Sequence, residues 1–200
     1  LSFWFLELKS PLIKNETEYI NFIKKICKNE KIDLVIPLYS KEINLFAQKK
    51  DDFSKFGTKI AISSPRTIEL CNNKKSFHKF LQDNGFSTPE IYDSESVIKK
   101  KVIIKPIFSS GSKNIEIIEL VNKKLPKSIN LDKKIAQEFI EGKEYTCDLI
   151  ANSNSHVISM MIRERVKTRN GLAISAISRK IPYVEPEIRR LVEEIGIIGP

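Results

Sequence analysis

Along the first third of the chain, apolar residues recur first at helical spacing and then in short continuous runs. Asn15 and Glu18 form a capping-box pattern, and the apolar positions that follow predict an amphipathic helix over 16–30. Residues 32–37 form an apolar run typical of a strand that is buried on both faces. The same rhythm then predicts a second helix and a second buried strand, over 41–55 and 58–63. Alternating helices and strands indicate a parallel α/β sheet.

The pattern changes towards the middle of the chain. Ser64 and Pro65 predict the cap and first turn of a helix. Asn72 or Asn73 can cap the next helix, and the Asn-Gly pair at 84–85 ends it. After Thr88-Pro89 the chain is rich in predicted strands, at 102–105, 114–119, 135–140, 143–151, 157–165 and 172–181, with a last helix over 186–195. The expected fold class is therefore α/β, with an α+β second half.

Composition narrows the class of protein. The 200 residues are 41% hydrophobic and 30% charged, which leaves enough apolar material for a core. The net charge of +9 by itself suggests a nucleic-acid partner. However, Lys accounts for 27 of the 34 basic residues, and they are scattered. Proteins that recognise phosphates and bases rely on the planar guanidinium group of Arg. We therefore expect a solvated Lys-rich surface and treat a nucleic-acid-binding protein as a remote alternative.

Several kinds of site and location are not expected. No run of 18 apolar residues spans a membrane, and the apolar start lacks the features of a signal peptide. Three widely spaced Cys and two His form no metal-ligand pattern, so neither a metal site nor a His-based nucleophile is predicted. We read the Cys as buried thiols of a reduced compartment and expect a cytoplasmic protein.

The segment 102–115 carries the strongest chemical signal. A hydrophobic strand ends in Lys105-Pro106, a Ser-rich loop with a single Gly follows, and another strand begins. The backbone N–H groups of such a loop can point at phosphate oxygens, and the Lys supplies a fixed positive charge. An ordinary hairpin with a Ser-rich tip explains this segment equally well.

A second segment, 136–148, places carboxylates around an apolar connector. Glu138 closes an apolar run and is expected to be partly buried, and Glu144 follows a Glu-Gly turn. The connector can offer backbone groups to a flat heterocycle while a carboxylate takes ribose hydroxyls. The alternative is a plain hairpin with charged edges.

Taken in order, these segments resemble the ATP-grasp superfamily. The motifs are Asn-Lys at a helix start, strand-Lys-Pro before Ser-Ser-Gly-Ser, Gln-Glu-Phe-Ile-Glu-Gly-Lys-Glu-Tyr-Thr-Cys-Asp, and then a basic strand with a Gly. Over about residues 30–200 the chain is most similar to carbamoyl-phosphate-synthase-like ligases. The earlier segment IDLVIPLYSKEINLFA resembles the end of the parallel-sheet domain that precedes the ATP-grasp module in that family.

The resemblance implies a role for each matching position. Lys74 and Lys105 match residues that hold the ATP phosphates. The phosphate-covering loop is matched by Ser109, Ser110, Gly111, Ser112 and Lys113. Glu138, Phe139 and Ile140 match the hinge around the adenine, and Glu144 matches the ribose carboxylate. The basic strand, matched by Arg163, Arg165 and Arg169, faces the phosphoryl group or the acid substrate, unless it is a solvent-facing edge.

The chain also departs from the family pattern. The motif that binds Mg²⁺ follows the region of Ile195–Pro200 in family members, so Mg²⁺ is expected only with a C-terminal segment that this sequence does not contain. We expect part of a pre-ATP-grasp domain over 1–72, the small ATP-grasp lobe over 73–137 and the start of the large lobe over 138–200. A nucleotide cradle without its metal motif predicts weak or absent catalysis.

Two functions follow from the resemblance. The first is the ATP-binding module of a carboxylate–amine or carbamoyl-phosphate-synthase-like ligase that forms an acyl phosphate. The second is a non-catalytic nucleotide-binding or regulatory relic. The expected partners are ATP or ADP and a small carboxylate or amine, with no membrane; the sequence leaves a homo-oligomer open.

Overall fold

The computed structural model describes residues 7–98, 101–109, 114–120, 123–169 and 171–200. The described helices are α1 (Glu16–Asn29), α2 (Ser40–Ser54), α3 (Pro65–Asn72), α4 (Lys74–Asp83) and α5 (Glu185–Ile195). The described strands are β1 (Leu34–Val35), β2 (Lys59–Ile60), β3 (Ile91–Tyr92), β4 (Lys101–Pro106), β5 (Glu116–Glu119), β6 (Lys134–Glu138), β7 (Tyr145–Ala151), β8 (Val157–Arg169) and β9 (Leu172–Arg179). Within this part of the chain, no helix is both long and apolar enough to cross a membrane.

The N-terminal part is built from α1, α2, α3 and a short parallel pair of strands, β1 and β2. The side chain of Asn15 accepts a hydrogen bond from the Glu18 N–H, and Ser64 caps α3 in the same way through the Thr67 N–H. Aromatic residues of α1 and α2, among them Phe46 and Phe53, form the centre of the core against β2. The predicted helices and the parallel pairing are therefore confirmed.

Both strands of this pair differ from their predictions, since β2 also forms only two residues of the buried strand expected over 58–63, and Lys59 is exposed. The run 32–37 forms only two residues of strand, and Leu34 and Ile36 are each about half exposed (51% and 50%). Val35 packs against the core, whereas β1 pairs with β2 alone among the described strands. The expectation of a strand buried on both faces is wrong because α1 and α2 cover one side of the pair.

The second half consists of two antiparallel sheets. One has the strand order β3-β6-β4-β5 and the other the order β7-β8-β9. In the four-stranded sheet, Val102, Ile104 and Ala136 are fully buried on the face that forms a second core cluster. This arrangement confirms the mixed α/β and α+β fold class.

A segment near the C-terminus joins the two halves. The Thr67 hydroxyl donates to the Ile195 carbonyl at 2.9 Å, and the Ile198 N–H donates to the Ser63 hydroxyl at 2.9 Å. Gly199 pairs with Ala151 at the end of β7. Helix α3 and β7 are thus held by the same few residues.

The cysteines only partly follow their prediction. Cys27 is buried and Cys147 is half-buried, but Cys71 is exposed near the end of α3. The expectation that all three thiols are buried is therefore wrong for Cys71, because the last turn of this helix faces solvent.

Candidate functional site

Lys74 lies at the first position of α4, where Asn73 caps the helix by accepting the N–H groups of Lys75 and Ser76. The Lys74 ammonium donates to the carbonyl and the hydroxyl of Ser109, both at 3.0 Å. Its backbone N–H donates to the Ile107 carbonyl at 3.3 Å. The start of α4 is therefore fixed against the end of β4, where the Ser-rich loop begins.

Lys105 lies on β4 close to this point and is half-buried. Burial lowers the pKa of its ammonium, and the positive charge of Lys74 lowers it further. Burial also lowers the pKa of Lys74. Among the described residues neither lysine has a carboxylate partner. Two neighbouring ammonium groups that are partly removed from water favour a bound anion, which would compensate both charges.

The hairpin predicted around the loop is confirmed, because β4 and β5 pair in antiparallel register from Lys101–Glu119 to Ile104–Glu116. Ser109 is the last described residue on the β4 side and contacts Lys74. Four predicted loop residues lie outside the described residues: Ser110, Gly111, Ser112 and Lys113.

The connector that follows β6 starts at Glu138, which is half-buried as expected. The Glu138 N–H donates to the Glu90 carbonyl at 2.8 Å, and the Phe139 N–H donates to the Lys101 carbonyl at 3.2 Å. The Phe139 N–H is thus already used within the protein, whereas its carbonyl remains a candidate acceptor. Ile140 is exposed.

Strand register places the Glu138 and Lys105 side chains on opposite faces of the sheet. Glu138 pairs with Val102, which belongs to the buried core face, whereas Lys105 has the opposite parity on β4. The charge of Glu138 also contributes, after burial and Glu90, to a raised pKa of Tyr92, which packs on that core face. A ligand that contacts Lys105 can therefore reach the backbone of this connector, whereas the Glu138 carboxylate lies on the other face of the sheet.

The face of β4 that carries the Lys105 side chain extends from Lys105 to Lys101, whose carbonyl bonds to Phe139. Lys101 and Lys105 are four residues apart along the strand, which corresponds to about 13 Å. At the Phe139 end, the Lys101 ammonium is 2.8 Å from a Glu141 carboxylate oxygen. Lys101 and Glu141 were not among the predicted site residues, although the four-residue spacing of Lys101 and Lys105 predicts a common face.

Glu144 and Arg165, predicted separately, form an ion pair with each other. The Arg165 guanidinium also donates to the Gly171 carbonyl. The backbone N–H of Arg165 donates to the backbone carbonyl of Glu144 at 2.8 Å. The Arg165 side chain is only 14% exposed, against 63% for Glu144. The candidate ribose carboxylate is thus also the counter-charge of a nearly buried arginine.

The other two predicted arginines differ from Arg165. Arg163 pairs with Asp148 across the β7–β8 ladder, and this contact lowers the pKa of the Asp148 carboxyl. Arg169 is exposed at the end of β8. The structure brings together Lys74, Lys105 and Ser109 at one place and Glu144 and Arg165 at another, and it places Arg163 in a separate pair.

Within the described ranges, no group of three or more His, Cys, Asp or Glu side chains is arranged to hold a metal ion. We assign no metal ligand among these residues.

Comparison with known proteins places this geometry in a family. The profile of the ATP-grasp domain matches residues 71–200, and that of the PylC-like N-terminal domain matches residues 8–61. Carbamoyl-phosphate synthase from Methanobrevibacter smithii is 22% identical over 159 residues, which cover 74% of this chain and 43% of that protein.

Solved structures show the same fold. The L-amino acid ligase from Bacillus licheniformis has a TM-score of 0.60 at 17% identity, over 94% of this chain and 46% of that one. The biotin carboxylase domain of 2-oxoglutarate carboxylase from Hydrogenobacter thermophilus, a complex with MgADP, ADP and bicarbonate, has a TM-score of 0.65 at 14% identity, over 90% and 47%. The chain spans about half the length of the proteins it matches. Because the domain profile covers more than half of its residues, the chain belongs to the ATP-grasp family.

Proposed function

We propose that this chain is the ATP-binding module of an ATP-dependent carboxylate–amine ligase, or of a ligase like carbamoyl-phosphate synthase. The observation that carries the proposal is the pair of partly buried lysines, Lys74 and Lys105, without a carboxylate partner in the described chain. Their ammonium groups would bind the phosphates of ATP. Ammonium-to-phosphate hydrogen bonds are charge-assisted and are among the stronger contacts that a protein makes.

The remaining contacts follow the face of β4. The adenine would lie near Phe139 and Ile140, where the Phe139 carbonyl can accept from an amino group and the Ile140 N–H can donate to a ring nitrogen. Glu144 would accept from the ribose hydroxyls while it keeps one oxygen for Arg165. A carboxylate has enough lone pairs for both partners.

The proposed reaction has two steps. An oxygen of the substrate carboxylate, or of bicarbonate, attacks the γ-phosphorus of ATP; the bond to the β-phosphate oxygen breaks and ADP leaves. The amine nitrogen then attacks the carbonyl carbon of the acyl phosphate, loses a proton and expels inorganic phosphate. Lys105 and Lys74 would stabilise the negative charge that moves onto the leaving phosphate.

We further propose that these 200 residues turn ATP over very weakly by themselves. Magnesium supplies most of the charge neutralisation in phosphoryl transfer. Among the described residues, no group of three or more His, Cys, Asp or Glu side chains is arranged to hold a metal ion. The second candidate is a nucleotide-binding module without catalysis.

The proposed division of labour keeps the expected boundaries. Residues 1–72 belong to the domain before the ATP-grasp module, 73–137 carry the phosphate-binding lobe and 138–200 begin the lobe that contacts the ribose. A cytoplasmic location and the acid and amine substrates stay predictions.

Thermal shift and calorimetry on the folded chain test the proposal. ATP and ADP should raise the melting temperature, and GTP should do so less. Candidate acids are then added with nucleotide, Mg²⁺ and an amine, and phosphate release is followed. Binding with phosphate release supports the ligase, and binding without release supports the non-catalytic module. A folded chain that binds none of the nucleotides would refute both.

A further inference from the structure

A cleft of about 670 Å³, lined by neither Lys74 nor Lys105, lies where several parts of the chain meet. Its walls come from Lys50 on α2, from α3 and α4, from the turn at Ser155 between β7 and β8, and from the end of α5 with the residues that follow it. Binding sites for small molecules have volumes of roughly 300–1,000 Å³ and often occur where such units join.

Two cations without carboxylate partners line this cleft. Lys50 is half-buried, and its ammonium donates one hydrogen bond, to the Ile62 carbonyl at 3.0 Å. Arg66 projects from the first turn of α3 and forms no ion pair within the described part of the chain. A half-buried ammonium with two donors to spare and a free guanidinium fork suit a carboxylate.

The cleft also carries negative charge. Glu69 lies one turn after Arg66 on α3 and has no ion-pair partner among the described residues. Glu194 is already engaged by Arg190, at 3.1 Å. The uncompensated charges are thus two cations and one carboxylate, so a ligand that complements them carries both a carboxylate and an ammonium group.

We propose that this cleft binds a free α-amino acid, with its carboxylate on Lys50 and Arg66 and its ammonium on Glu69. Asn73 and Ser76 line the same cleft and belong to the helical turn that also carries Lys74. The amino acid therefore occupies a site beside the phosphate-binding lysines that is distinct from them and needs no nucleotide.

Calorimetry on the full chain without nucleotide tests the proposal, with each of the twenty standard L-amino acids as a probe. At least one should bind, and propionate and ethylamine, which carry one charged group each, should bind at least tenfold more weakly. Lys50→Met and Arg66→Met should each weaken the amino acid at least tenfold. Lys49→Met, which removes an exposed neighbour outside the cleft, should leave binding unchanged.

Glu69→Gln keeps the side-chain volume and separates a binding role from a folding role. It should weaken the amino acid and leave propionate unaffected, with an unchanged circular dichroism spectrum. If none of the twenty amino acids binds, or if they bind equally well to the Lys50, Arg66 and Glu69 variants, the proposal is wrong. Nucleotide binding is unaffected by either result, so the two proposals fail separately.

Discussion

Replacing Lys105 by Met should strengthen the fold and weaken nucleotide binding at the same time. In the free protein this half-buried ammonium is repelled by Lys74 and has no described carboxylate to compensate it. A Met side chain fills a similar volume without the charge. We expect the free energy of unfolding without nucleotide to rise by about 0.5–1 kcal/mol, the size of like-charge repulsion and of typical surface-charge improvements.

The loss of affinity follows from the same charge. A hydrogen bond to a charged group contributes about 1.5–3 kcal/mol, so the dissociation constants of ATP and ADP should increase roughly 10- to 100-fold. Urea unfolding followed by circular dichroism measures the first quantity, and calorimetric titration with each nucleotide measures the second.

Lys134→Met is the matched control. Lys134 lies on β6 opposite Pro106, next to Lys105 in the ladder, but its ammonium is 2.8 Å from Glu116. Removing this pair should lower stability by about 0.2–1 kcal/mol and leave nucleotide affinity within twofold. If Lys105→Met binds ATP as tightly as the wild type, or lowers stability as Lys134→Met does, the reading of Lys105 as an uncompensated anion-binding group is refuted.

Three further outcomes are expected. Gly199→Ala should lower the free energy of unfolding in urea by about 1–3 kcal/mol, because a Cβ there would meet the Ala61 carbonyl oxygen at 2.8 Å. Gly57→Ala, at a similar positive φ but in open space, should lower it less. Equal losses of stability in the two variants would exclude the clash. Glu144→Ala, which removes the acceptor oxygens, should abolish the preference for ATP over 2′,3′-dideoxy-ATP in calorimetry; a preference that persists would remove Glu144 from the ribose site. Hydrogen bonds from Lys143 and Arg179 lower the pKa of the Glu164 carboxyl below its usual 4.5. The charged carboxylate therefore stabilises the fold above pH 4.5, and this stabilisation is lost as the pH falls through the lowered pKa. The difference in unfolding free energy between the wild type and Glu164→Gln should shrink in acid, and a difference that stays constant with pH would contradict this.

The helix starts and the hairpin that follows Lys105 could be predicted from sequence because their determinants are local. Asn15, Ser64 and Asn73 each bond to a backbone N–H two or three residues later, and these residues mark the helix starts in the sequence itself. Lys105 was selected in the same way, since a strand that ends in Lys before a small-residue loop is a contiguous signal, and its role in binding phosphate stays a prediction.

Features that depend on strand register were not predicted. The Glu144–Arg165 pair joins residues 21 positions apart, and only the β7–β8 alignment brings them together. Likewise, the face on which the Glu138 carboxylate lies follows from its pairing with Val102. A shift of one residue would reverse that face, and local spacing contains no information about such a shift.

The contacts that Ser63 and Thr67 make near the C-terminus also determine when the protein can finish folding. Their partners lie 135 and 128 positions later in the chain. During synthesis at roughly 5–20 residues per second, the Ser63 hydroxyl waits about 7 to 27 seconds before Ile198 exists. For that interval α3 lacks the segment to which Ser63 and Thr67 later bond, and the surface that this segment contacts is exposed.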